Sequence, residues 1–133
     1  MDLLPKVPGD PEDRELRAAA LNHIGYMFAE AGTRLDEARQ LLTDALDLQP
    51  RAGFIVDSMG WLEFQQGHND RALDLLKKAF DYSNEDPTVS DHLGDAYARA
   101  GDAKKALEFW RHALQLDPSL DQVKEKVAKS PKK

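Results

Sequence analysis

The sequence predicts an all-α solenoid of three helix hairpins closed by a C-terminal capping helix. The first observation behind it is a repeating interval. Gly25, Gly60 and Gly94 lie 35 and 34 residues apart, and Gly32, Gly67 and Gly101 repeat those intervals. Ala38, Ala72 and Ala106 are spaced by 34, as are Ala45, Ala79 and Ala113. Self-similarity at such a period marks stacked supersecondary units. The second observation is that no stretch alternates apolar and polar residues for long enough to make a strand. The third is composition: helix formers dominate after residue 12, and 41% hydrophobic with 32% charged residues suits a packed globular chain.

Taken in order, residues 1–12 carry Pro5, Pro8, Gly9 and Pro11 and read as a flexible N-terminal arm. Proline lacks an amide donor, and glycine loses much entropy on ordering. Residues 13–120 hold the three units, at 18–52, 53–86 and 87–120. Gly25, Gly60 and Gly94 fall inside helices, where glycine costs about 1 kcal/mol relative to alanine. Three of them at one register imply three equivalent close helix crossings. Gly32, Gly67 and Gly101 instead end the first helix of each hairpin, where a left-handed residue is needed. Asp86 followed by Pro87 supplies a capping acceptor and a preset φ. Asp102 suits the cap of the next helix, and Pro118 marks its end. Asn69 or Asp70 is expected to cap the second helix of the middle unit. Ser119 is expected to cap a short helix over 120–129, inside a final segment, 121–133, that covers the open end of the stack and finishes as a basic tail.

Charge narrows the ligand classes. The chain carries −6, divided as −9 over residues 1–120 and +3 over residues 121–133. An acidic body repels phosphate backbones, which argues against nucleic acid. The basic tail reads as a solvated end, with contact to an acidic partner or a membrane surface as the alternative. The absence of cysteine removes disulfides, thiolate nucleophiles and cysteine-ligated zinc. No apolar run approaches the ~18 residues needed to span a bilayer, so membrane insertion is not expected. The opening MDLLPKVPGDPEDRE lacks the positive end and apolar stretch of a signal peptide. As it stands the chain reads as cytoplasmic; as a piece of an exported lipoprotein it would lie in the cell envelope.

The third unit contains Ser90, Leu93, Gly94, Tyr97, Ala106, Trp110, Ala113 and Pro118. The first contains Leu21, Ile24, Gly25, Phe28, Ala38, Leu42, Ala45 and Pro50, with one extra residue in the turn before Leu35. The second contains Val56, Met59, Gly60, Ala72, Leu76 and Ala79, with Glu63 in place of an aromatic and Asn84 in place of proline. Residues 18–120 thereby resemble the tetratricopeptide repeat, whose signature runs W-x2-L-G-x2-Y, A-x3-F, A, P. The opening tryptophan is absent from all three units. The phrases DSMGW and DHLGDAYARAG resemble the last repeats of such proteins from Gram-negative bacteria, some of them cell-envelope lipoproteins.

The resemblance implies a right-handed superhelical array whose first helices line a concave groove through positions 2, 5, 9, 12 and 13 of each unit. Carried onto this chain, the peptide-binding groove is Asn22, Tyr26 and Glu30, then Phe54, Asp57, Trp61, Phe64 and Gln65, then Asp91, Asp95 and Arg99. Helical spacing places Asp57, Trp61 and Phe64 on one face without appeal to the family. These aromatics either anchor a ligand or pack between hairpins. The acidic flanks favour a protein or peptide of basic or apolar character. Some members of the family hold a C-terminal carboxylate with lysine and asparagine at positions 5 and 9. Asn22, Asp57 and Asp91, with Tyr26, Trp61 and Asp95, stand there instead, and an anion is repelled.

Enzymatic chemistry finds little support. A zinc site needs three or four converging ligands. His23 and His92 share one register two units apart, and His92 with Asp91 or Asp95 makes only part of a site. The glycines are isolated, so no phosphate loop is present. No metal, cofactor or catalytic residue is expected. The expectation is an adaptor or scaffold that binds a client in the groove. The alternative is the C-terminal part of a longer solenoid, or a self-association module.

Overall fold

The computed structural model describes residues 11–130. Seven helices follow one another there: α1 Pro11–Ala31, α2 Leu35–Leu48, α3 Gly53–Gln65, α4 Asn69–Tyr82, α5 Pro87–Arg99, α6 Ala103–Leu116 and α7 Asp121–Lys129. The described residues contain no strand. Pairs α1–α2, α3–α4 and α5–α6 form hairpins, each first helix packs on the hairpin before it, and α7 packs on α6. The result is an all-α repeat array. None of the described helices is long and apolar enough to cross a membrane.

The repeated small residues sit at equivalent contacts. Leu42 lies over Gly25, Leu76 over Gly60 and Trp110 over Gly94, so a side chain, rather than a backbone, fills the space a Cβ would take. Each of these large residues follows by four the alanine of its A-x3-F step. Ala38, Ala72, Ala106, Ala45, Ala79 and Ala113 are all buried. Between hairpins, Leu42 packs with Met59 and Leu62 at one junction, and Val56 and Ala79 with Val89 at the next.

The turns follow the glycine expectation. Gly32, Gly67 and Gly101 have φ of 69, 81 and 89°, and the next amide returns to the carbonyl five residues back: Thr33 to Phe28, His68 to Glu63, Asp102 to Tyr97. The extra residue of the first unit is absorbed by Arg34, which takes φ 50°. Asp86 accepts from the Thr88 amide at 2.9 Å, and Asp102 from the Lys105 amide at 3.1 Å.

Three expectations are corrected. Helix α1 begins at Pro11, inside the expected arm, because proline is preset for a first helical position and Glu12 and Asp13 suit the positive end of the helix. The rest of that arm, residues 1–10, and the last three residues of the tail lie outside the described residues. Neither Asn69 nor Asp70 caps α4; the cap position falls on His68, which makes no side-chain capping bond. Ser119 does not cap α7 either: Leu120 holds that position, and the Ser119 hydroxyl donates to Asp117 Oδ1 at 2.6 Å, closing the preceding turn.

Glu63, the outlier of the middle unit, is 2% exposed. Arg39 donates to it, and His68 and Arg71 approach at 3.5 Å. Burial favours the neutral acid, but these bonds, Arg39 foremost, hold its carboxyl below the usual value. A charged cluster thus stands where the signature has an aromatic.

Candidate functional site

Helices α1, α3 and α5 stand side by side and carry the residues assigned to the groove. Their side chains meet across neighbours at sequence separations of 31 and 35. Trp61 Nε1 donates to Glu30 Oε2 at 2.7 Å across 31 residues. His92 Nδ1 lies 3.0 Å from both Asp57 oxygens across 35 residues. The same separation recurs at helix ends: Gln65 donates to Glu30 O at 3.2 Å, and Arg99 to Phe64 O at 2.6 Å. Both carbonyls lie in the last turn of their helices, where helical partners run out; Phe64 O also accepts from the Gly67 amide at 3.1 Å, so Arg99 is its second donor. Gln65 and Arg99 therefore staple first helices together.

The centre of the wall is a stack of rings. Trp61 lies against Phe64 with centroids 4.6 Å apart, and against His92 at 4.0 Å. The Arg99 guanidinium sits 3.3 Å from the Phe64 ring centre. The Tyr26 hydroxyl is 3.5 Å from His92 Nε2. Such ring pairs contribute about 0.5–1.5 kcal/mol each beyond area burial.

Electrostatics make the middle of the wall a fixed structure. Burial lifts the Asp57 carboxyl above its usual value, and His92 only partly opposes this. Burial works against a charged His92, but Asp57, then Asp91 and Asp95, outweigh it and raise the imidazole above its ordinary value. The Tyr26 phenol is pushed well up, first by burial and then by Glu30 and Asp57, so it acts as a neutral donor.

At the C-terminal end the acidic residues are already paired. Lys126 of α7 reaches Asp91 at 2.8 Å and Asp95 at 2.9 Å. Trp110 Nε1 also donates to Asp95, at 3.1 Å. Burial and Asp91 lift the Asp95 carboxyl against the pull of Lys126. Burial disfavours the charged Lys126, yet its two aspartate bonds raise it overall, so the ammonium stays charged.

Among the described residues, the other end is open. Phe54 is 42% exposed and Leu16 52%, and both line a hollow of about 750 Å³ with Ala19, Gln49, Glu12 and Glu15. Among the described residues, Asn22 Oδ1 is buried without a hydrogen-bond partner. The predicted groove residues thus divide. Phe54, Glu30, Gln65 and Arg99 are exposed; Asn22, Tyr26 and Trp61 are half-buried; Asp57 and Phe64 point into the junction between hairpins; Asp91 and Asp95 are engaged by Lys126. The sequence reading missed Lys126 and the pairing of His92 with Asp57. Adding 35 to Asp57 and Asp91 lands on His92 and Lys126, a signal present in the numbering itself. Among the described residues, no three histidines or carboxylates converge as metal ligands.

Comparisons with known proteins agree with the fold. The model of the tetratricopeptide repeat family matches residues 63–129, half of the chain. A TPR repeat-containing protein of Pseudomonas aeruginosa is 41% identical over 78 residues, which are 59% of this chain and 13% of that protein. The mitochondrial import receptor subunit TOM70 of Rattus norvegicus is 26% identical over 87 residues, 62% of this chain and 14% of the receptor. The chain therefore spans about an eighth of the length of these relatives. Among solved structures, the first TPR domain of human RPAP3 superposes with a TM-score of 0.77 at 18% identity, covering 90% of this chain and 91% of that one. The first TPR of Spaghetti (RPAP3) bound to the HSP90 peptide SRMEEVD gives 0.76 at 17% identity, covering 86% and 90%.

Proposed function

This chain belongs to the tetratricopeptide repeat family, a family of protein-interaction modules, and on that premise we propose that its concave face holds a partner segment with an apolar anchor and basic flanks. The observation that carries this reading is the open hollow at Phe54. Phe54, Leu16 and Ala19 give it an apolar floor, and Glu12 and Glu15 give it an acidic rim. A ring left 42% exposed at the mouth of an otherwise self-filled wall is a natural anchor point. From there the segment passes Tyr26, Trp61 and Glu30. The solved structure bound to SRMEEVD holds an acidic peptide; the exposed carboxylates of Glu15 and Glu30 stand against that class here and favour lysine or arginine, whereas Asp57, Asp91 and Asp95 are already paired with His92 and Lys126.

The test compares wild type with Phe54→Asp in affinity capture from the native cell extract. Phe54 contributes little to the core, so helicity and melting should be unchanged. Retained proteins should drop by about tenfold or more, the effect of losing a hot-spot contact. Equal retention by both proteins would refute the reading. Trp61→Ala is a poorer probe, because that ring also braces Glu30, Phe64 and His92.

A second reading, stacking with a further hairpin or a second copy, is favoured by one face of α1. Leu16, Ile24 and Met27 are 52%, 44% and 54% exposed, and spacings of eight and eleven put them on one stripe. Light scattering at high concentration tests self-association: a strictly monomeric mass removes it.

A further inference from the structure

The two aspartates assigned to basic partners already hold a lysine from the chain itself. We propose that α7 is a displaceable latch on the acidic end of the concave face, exchanged for a partner helix that presents a lysine three residues after an aliphatic side chain. This inference rests on reading the concave face as the binding surface.

The register comes first. Helix α7 begins 34 residues after Pro87, where the first helix of a further unit would start. Lys126 meets Asp91 across the same 35 residues that separate His92 from Asp57. Helix α7 therefore occupies the seat of a first helix, and the polar contact of that seat is a cation on a carboxylate.

Attachment comes second. Helices α3 and α5 have 13 residues and α7 has nine. Helix α5 buries seven residues, whereas α7 buries only Val123 and lacks a side-chain cap at its start. A helix this short owes its order to its contacts. Those contacts are chiefly Val123, the paired aspartates and the Trp110 ring, 5.9 Å from the Lys126 ammonium.

The third observation favours a replacement. Beside the last turn of α7, at Lys126, Lys129 and Ser130, a hollow of about 390 Å³ runs along Ala98, Gly101, Ala103, Ala106 and Trp110. An incoming helix one turn longer than α7 covers this apolar wall as well. It matches the lysine clasp and adds burial that α7 does not have. The match required is the spacing of Val123 and Lys126.

The experiment uses the full chain and a fluorescein-labelled synthetic peptide of residues 119–130 as probe, read by anisotropy. The opened chain carries Val123→Asp with Lys126→Glu. It should bind the peptide about tenfold more tightly than wild type, because a resting latch scales apparent affinity by the fraction open. Adding Asp91→Asn and Asp95→Asn to the opened chain should abolish the gain. Equal binding to wild type and opened chain, or binding to neither with helicity intact, overturns the proposal. Hydrogen exchange on wild type gives a second measurement that needs no variant: α7 amides should exchange much faster than those of α5. Equal protection of the two helices also overturns it. Neither measurement involves a client, so failure here leaves the Phe54 reading standing.

Discussion

Replacing Gly60 by alanine sets two known effects against each other. Alanine in a helix interior is favoured over glycine by about 1 kcal/mol. A Cβ at position 60, however, would lie 2.8 Å from Leu76 Cγ, 2.9 Å from Leu76 Cδ2 and 3.3 Å from Leu75 Cβ. Leu76 is 0% exposed and wedged among Leu93, Ala96 and Tyr97, so it has no free direction in which to withdraw. Overpacking of this kind costs about 1–3 kcal/mol. With the contacts below 3 Å, the upper part of that range applies, and the net loss is about 1–2 kcal/mol. For a domain of this size the melting temperature should fall by about 3–8 °C. Thermal unfolding followed by far-UV circular dichroism measures it. Leu76→Ala alone should cost about 2–5 kcal/mol through its cavity. In the double variant the new methyl group occupies that cavity, so the combined loss should be smaller than the sum by about 1–2 kcal/mol. If Gly60→Ala melts at or above wild type, the explanation of the recurring glycines by side-chain seating is refuted.

Two further outcomes are expected. His92 has a folded pKa above its ordinary value, so the folded state holds its proton more tightly and the associated stability is lost as pH rises through the folded value. Melting temperature should therefore decline over that window, above about pH 6.5, and His92→Gln should flatten the decline; scans at stepped pH check it. Arg39→Ala strands the buried Glu63 carboxylate with only the 3.5 Å approaches of His68 and Arg71, and should cost about 1–3 kcal/mol by urea unfolding. The Glu63 pKa is held down in the fold, so its contribution is present above the ordinary glutamate value and lost as pH falls. The variant should unfold in acid at a higher pH than wild type.

Much of the fold was legible because stacked units repeat their physical demands. Gly25, Gly60 and Gly94 each need room for a large side chain, and Gly32, Gly67 and Gly101 each need a positive φ, so identical solutions recur at identical intervals. Asp86 and Asp102 were readable as caps because capping is local. The groove was less legible. Helical spacing places Asp57, Trp61 and Phe64 on one face, but it does not say how deeply the next hairpin covers that face. Asp57 is covered because His92 arrives from α5, and Asp91 because Lys126 arrives from α7. Those arrivals depend on how neighbouring helices are offset, which within one unit leaves no trace. The acidic count alone suggested open charge, whereas the structure has already neutralised part of it. The middle unit shows the same effect: Glu63 looks like a defect in its own repeat and becomes intelligible only with Arg39 from the previous hairpin.

The exposed stripe on α1 gives the stack two unlike poles. One presents Leu16, Ile24 and Met27; the other presents the lysines and glutamate on the outer side of α7. Two copies that meet at their greasy poles hide both stripes and turn both wet poles outward. Association through α1 would therefore close at a pair rather than propagate into a fibre.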